Sequence, residues 1–146
     1  MFKFKLQSVL EYRLNIEEKI LNEFSGVKRH LEEQKALLKA LVDERESLMN
    51  DLRNMQHAMM RADDIATLVA YVENLREKEK EQKNIIHQAK EAVEQKRKEL
   101  VEAVKNRKVM ENLRDKHAEE YLKNINKTEQ KNSDEMSVLK FGRRGT

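Results

Sequence analysis

Hydrophobic positions in this chain recur in alternating steps of three and four residues, in two long arms around one short interruption. In the first arm the stripe reads Ile20, Phe24, Val27, Leu31, Gln34, Leu38, Leu41, Arg45, Leu48, Leu52, Met55 and Met59. In the second it reads Ile65, Leu68, Val72, Leu75, Glu79, Gln82, Ile86, Ala89, Val93, Lys96, Leu100 and Ala103. Such steps return to one face of a helix. Sustained over this many turns, they define a coiled-coil seam. Two arms joined by a few residues predict an all-α fold, a long two-helix antiparallel coiled-coil hairpin. The pattern places helices over about 5–59 and about 64–121 or beyond, with a turn at about 60–64. Residues 1–121 then form the hairpin, and 122–146 a C-terminal extension that is partly helical or frayed. Asp63 or Asp64 is placed to cap the second helix, accepting from free backbone N–H groups at the positive end of its dipole.

Antiparallel pairing carries an internal test, because facing residues have numbers that add to a constant. A constant of about 123–124 sets Met55 against Leu68, Leu52 against Val72, Leu48 against Leu75, Leu38 against Ile86, Leu31 against Val93 and Phe24 against Leu100. The same register brings Arg45 to Glu79 and Glu17 to Arg107. Residue 4 falls opposite about residue 119–120, so the chain beyond Tyr121 overhangs. The polar seam positions Gln34, Arg45, Glu79 and Gln82 read as register control, bought at some loss of stability. The functional reading of the same stretch is a softened zone that offers Leu37, Leu38, Leu41, Val42, Tyr71 and Leu75 to a partner, with Tyr71 as an anchor.

Composition fits a solvated rod better than a globule. Charged residues make up 39% of the 146 residues, aromatic residues only 5%, and Pro is absent. Of the three Gly, Gly142 and Gly145 lie in the tail, so little along the arms stops helix propagation. The net charge is +3, with signs interleaved along the arms. That is a salt-bridged surface, which argues against nucleic-acid binding. No Cys is present, so there is no disulfide framework and no thiolate metal site. The basic start, Met1 to Leu6, is followed by no apolar h-region and does not read as a signal peptide. No stretch reaches the ~20 apolar residues of a membrane span, so direct membrane insertion is not expected. The reading is an intracellular soluble protein, in which the Asn126–Thr128 sequon is a chance match.

Catalytic and cofactor chemistry find no foothold. His30, His57, His87 and His117 form no pairs at helical metal-ligand spacing. There is no phosphate-binding Gly-rich loop and no nucleophile elbow. A two-helix rod offers no cavity in which to desolvate a catalytic group. Met55, Met59 and Met60 cluster near the expected turn as adaptable filling. The terminal aromatics Phe2, Phe4 and Phe141 either pack together to close the open end or insert into a partner. The Arg143–Arg144 pair reads as a solvated end.

Both termini resemble one family. The opening Phe2-x-Phe4-x-Leu6-x-x-Val9-Leu10-x-x-Arg13 is similar to the start of the flagellar export protein FliJ. The closing Asp134-Glu135…Leu139-x-Phe141-x-Arg143-Arg144, the chain length and the mid-chain turn look like that family too. The resemblance implies a non-enzymatic stalk of the flagellar type III export apparatus, similar to the gamma subunit of rotary ATPases. It is implied to be cytoplasmic and peripherally associated with the membrane at the flagellar base. The implied partners are the hexameric export ATPase with its regulator, a membrane export-gate protein and export chaperones. The candidate contact with the ATPase ring is Phe2, Phe4, Leu6, Leu10, Leu139 and Phe141. The candidate contact with the export gate is Gln34, Leu38, Leu41 and Arg45 on one arm, with Tyr71, Leu75 and Gln82 on the other. Where the family pattern carries aromatics in the first arm, this chain has Leu41 and Arg45. The alternative reading is a substrate chaperone or a generic coiled-coil scaffold that binds helical partners along its sides.

Overall fold

The computed structural model describes residues 1–55 and 61–144. These form two helices, α1 (Gln7–Met55) and α2 (Ala62–Arg144). The fold is all-α and antiparallel, as the seam predicts. The expected end of α1 at residue 59, the first residue of the expected turn, and Met59, Met60 and His57 lie outside the described residues, whereas Ala62 to Asp64, expected in the turn, already belong to α2.

The chain divides into two compact units. One combines Met1–Glu18 with Val101–Thr146, and the other is Lys19–Leu100. In Lys19–Leu100 the seam organises burial as the pattern requires. Val72, Leu75, Glu79, Gln82, Ile86 and Ala89 are buried, and the other described seam positions are half-buried. In the first unit Phe4, Leu10 and Ala103 are buried. The same 3-4 rhythm continues there through Arg107, Met110, Arg114, His117 and Tyr121, all half-buried.

Helix ends differ from expectation in instructive ways. α1 starts at Gln7, whose N–H donates to the carbonyl of Phe4 at 3.1 Å. At the start of α2 the carbonyl of Arg61 accepts from the N–H groups of Asp64 and Ile65. Asp63 and Asp64 are therefore in the first turn of the helix and do not precede it as caps. Their charge still meets the positive end of the dipole. After Tyr121, where the sequence suggests a partly helical or frayed extension, α2 continues to Arg144. No Pro interrupts it, and Thr128 Oγ1 donates to the Asn124 carbonyl inside the helix. Beyond Ile125, however, every described side chain is exposed.

Cross-helix bonds mark the register. Both expected ion pairs are made, Arg45 to Glu79 at 2.8 Å and Arg107 to Glu17. Gln82 Nε2 also donates to the backbone carbonyl of Gln34 at 2.9 Å and to its Oε1 at 2.8 Å, a pair the expected constant does not contain. In Lys19–Leu100 the numbers of Gln34 and Gln82 add to 116, those of Glu23 and Lys96 to 119, and those of Arg45 and Glu79 to 124. These contacts bracket one level, because each seam side chain in an antiparallel pair sits between two on the facing helix and leans to one of them.

Candidate functional site

The mid-arm candidates all lie in Lys19–Leu100, and the structure separates them by role. Leu75 is 2% exposed and Gln82 is buried, so both are interior. Gln34, Leu38, Leu41 and Arg45 are half-buried seam residues. Gln82 donates to Gln34, and the Arg45 guanidinium, its pKa raised by the hydrogen bond to Glu79, stays charged beside that carboxylate. Among the described residues no buried side-chain nitrogen or oxygen lacks a partner. This part of the set locks the helices together. Leu75 was expected to be exposed and is not, because it lies at the centre of the seam.

Tyr71 is different. It is 42% exposed, and its hydroxyl donates to Glu44 Oε1 at 2.5 Å. The accepted hydrogen bond and the negative charge of Glu44 both raise the phenol above its ordinary pKa. Leu37, Val69 and Ile85 are also exposed in this unit. Val69 and Ile85 flank the seam of α2 as Tyr71 does, and that flanking position is the signal that would have found them.

At the terminal unit the candidates divide again. Phe4 and Leu10 are core residues, 8% and 1% exposed. Phe4 meets His117 edge-on with ring centroids 5.6 Å apart, and Phe2 tilts against Tyr121 at the same separation. The N-terminal amine donates to Tyr121 Oη at 2.9 Å. His117 and Tyr121 were not singled out in the sequence, although continuing the seam past Ala103 reaches both. Leu6 is 38% exposed. Phe141 does not join Phe2 and Phe4. It lies 20 residues beyond Tyr121 on the same helix, about 30 Å along the axis. Met136, Val138, Leu139 and Phe141 are 58%, 71%, 64% and 82% exposed. Lys127, Lys131, Asp134 and Glu135 line an open face beside Val138 and Leu139, a surface with no enclosure for a small ligand.

Ion pairs staple the helices in both units. Lys96 Nζ bonds Glu23 at 2.7 Å across the helices and Glu99 at 2.9 Å along α2. Arg107 bonds Glu17 across the helices and Glu111 along α2. These carboxylates raise the pKa of Lys96 and of Arg107, and Lys96 lowers that of Glu99. Among the described residues no three His, Asp or Glu side chains converge as a metal site. No described helix is long and apolar enough to cross a membrane.

The model of the flagellar FliJ protein family matches residues 2–146. The chain belongs to the FliJ family. A solved structure of CT670 from Chlamydia trachomatis, described as a proposed homologue of YscO, is similar at 25% identity and a TM-score of 0.53. That match covers 95% of this chain and 94% of the other. No curated protein matches the chain. As a FliJ-family chain it is a component of the flagellar type III export apparatus, in line with the resemblance of its termini. The family's members are structural parts of that apparatus.

Proposed function

We propose that this FliJ-family chain is a non-enzymatic stalk. Its terminal end enters the hexameric export ATPase and promotes ring assembly, and its mid-arm surface links the ring to the export gate. The observation that carries this reading is the end of α2. There a helix with every described side chain exposed from Asn126 to Arg143 ends in Met136, Val138, Leu139 and Phe141. Exposed apolar side chains grouped at one place mark a contact surface. Phe2 and Leu6 contribute from the same unit, while Phe4 and Leu10 serve by holding that unit together. Lys140 beside the apolar group favours an acidic rim on the partner. At mid-arm, Tyr71 with Glu44 is the outward part of the gate contact, and Gln34, Leu38, Leu41, Arg45, Leu75 and Gln82 support it from within. This reading places the protein in the cytoplasm at the inner face of the membrane, with the ATPase regulator and export chaperones as further partners.

The test is ATPase turnover by the hexameric ring with and without this chain. The double variant Leu139→Ala/Phe141→Ala should need about tenfold or more protein for the same stimulation, since two exposed anchors are lost. Its helical content by circular dichroism should be unchanged. Stimulation at the wild-type concentration dependence would overturn terminal insertion. Phe4→Ala is the wrong probe, because it removes a core residue.

A further inference from the structure

The charges of Lys19–Leu100 interleave along the chain but separate around the helix pair. Where two seam residues are four apart, the first and the last of the residues between them lie on opposite sides of the pair. Glu44 and Tyr71 each hold the last place and are bonded across the helices at 2.5 Å. The last places of both helices therefore share one side, and the first places share the other. The first places hold Lys28, Lys35, Arg76, Lys83, Lys90 and Arg97, and no carboxylate. The last places hold Glu23, Glu44, Asp51 and Glu99, and Asp64 stands in the same relation to Ile65. Lys78 is the one Lys or Arg on that side.

Within each side the charges gather. Lys35 and Lys83 directly follow Gln34 and Gln82, which are bonded to each other, so the two lysines stand at one level. Lys28 and Lys90 lie one heptad from them, in the same direction because the helices run oppositely. Four exposed lysines thus occupy two levels about 10 Å apart. Lys35 reaches Glu32 at 3.4 Å and Lys28 lies over the Phe24 ring, but no described carboxylate pairs with Lys83 or Lys90. On the other side the Glu44–Tyr71 bond sets a level, and Asp51 and Asp64 lie one heptad beyond it. These three exposed carboxylates therefore repeat the spacing of the lysines with the opposite sign. Like charges face each other across the helices in both clusters, so neither cluster stabilises the pair that carries it.

We propose that the two clusters are the two halves of a contact between copies of this chain, with Glu44, Asp51 and Asp64 of one copy against Lys28, Lys35, Lys83 and Lys90 of the next. Opposite sign and equal spacing make each cluster the complement of the other. The contact does not depend on the stalk reading. The clusters lie on opposite sides of the helix pair, so each contact leaves one of each sign free and association is open-ended. All the charges are exposed, so salt weakens it. A docked copy covers Glu44 and Tyr71, and any mid-arm partner that uses this surface competes with self-association.

Sedimentation equilibrium of the full chain reads the contact. At low salt the average mass should rise with concentration above the 17.4 kDa of one chain. Salt at about 1 M, where charges are screened within about 3 Å, should return it to that value. Lys83→Glu/Lys90→Glu removes one half of the contact, and Glu44→Lys/Asp51→Lys removes the other. Each variant alone should need about tenfold or more protein to reach the same mass. Mixed in equal amounts, the first supplies the acidic side and the second the lysine side, so assembly should resume and stop at two chains. All four positions are exposed, and helical content by circular dichroism should be unchanged. Arg29→Glu/Lys98→Glu makes the same change in net charge at exposed middle places and should associate as the wild type does. A wild type that stays single at low salt, mixed variants that stay apart, or equal loss in the Arg29/Lys98 variant overturns the proposal. So does binding of anionic phospholipid vesicles by a chain that stays single, which assigns the lysines to a lipid surface.

Discussion

Tyr71 donates its hydroxyl to Glu44 across the helices, and the carboxylate opposes formation of a phenolate beside it. The hydrogen bond first, and the charge of Glu44 second, raise its pKa above the ordinary 10.0. The fold therefore holds the neutral phenol. The stabilisation is complete below the ordinary value and is lost as pH rises through the folded one. In a Tyr12→Phe/Tyr121→Phe background, the phenolate absorbance of Tyr71 should titrate above pH 10.0, and Glu44→Gln should bring the midpoint down. Burial makes a second contrast between single residues. Leu75, 2% exposed, should cost about 2–4 kcal/mol as Leu75→Ala in chemical denaturation. Phe141→Ala, from an 82% exposed side chain, should stay within about 0.5 kcal/mol. Which of these side chains point inward was legible from the 3-4 rhythm, since every described seam position is at least half-buried. Phe4 was not, because it precedes the helix and enters the core from an irregular segment where no period applies.

At the scale of elements, the existence and direction of both helices followed from the seam, but where each helix starts did not. The expected ion pairs Arg45–Glu79 and Arg107–Glu17 are made. The Gln34–Gln82 pair was not expected, because each seam side chain has two neighbours on the facing helix and the apolar pattern does not say which one it takes. The far end of α2 carries a different lesson. No Pro breaks it, so it stays helical, yet from Asn126 to Arg143 every side chain is exposed. Helices without tertiary packing are marginal in water. Backbone amides from Thr128 to Arg143 should exchange hydrogen about a hundredfold faster than those from Val72 to Ala89. Protection of that segment should rise when the export ATPase is added, which hydrogen-exchange mass spectrometry can read.

For the whole molecule, the family could be read from the termini, whereas the roles within each candidate set could not. Phe4, Leu10, Leu75 and Gln82 share the residue types of their exposed neighbours, and only packing sorts them. Met1–Glu18 and Val101–Thr146 build one unit although all of Lys19–Leu100 separates them in the chain. Closing a long loop costs entropy that a local turn avoids. The contiguous stretch can zip from its own bend as soon as it leaves the ribosome. The opening residues must instead wait for translation to supply Arg107, His117 and Tyr121. Phe2 and Phe4 are thus synthesised about a hundred residues ahead of the side chains that cover them, and a nascent chain that stalls before residue 101 carries them uncovered.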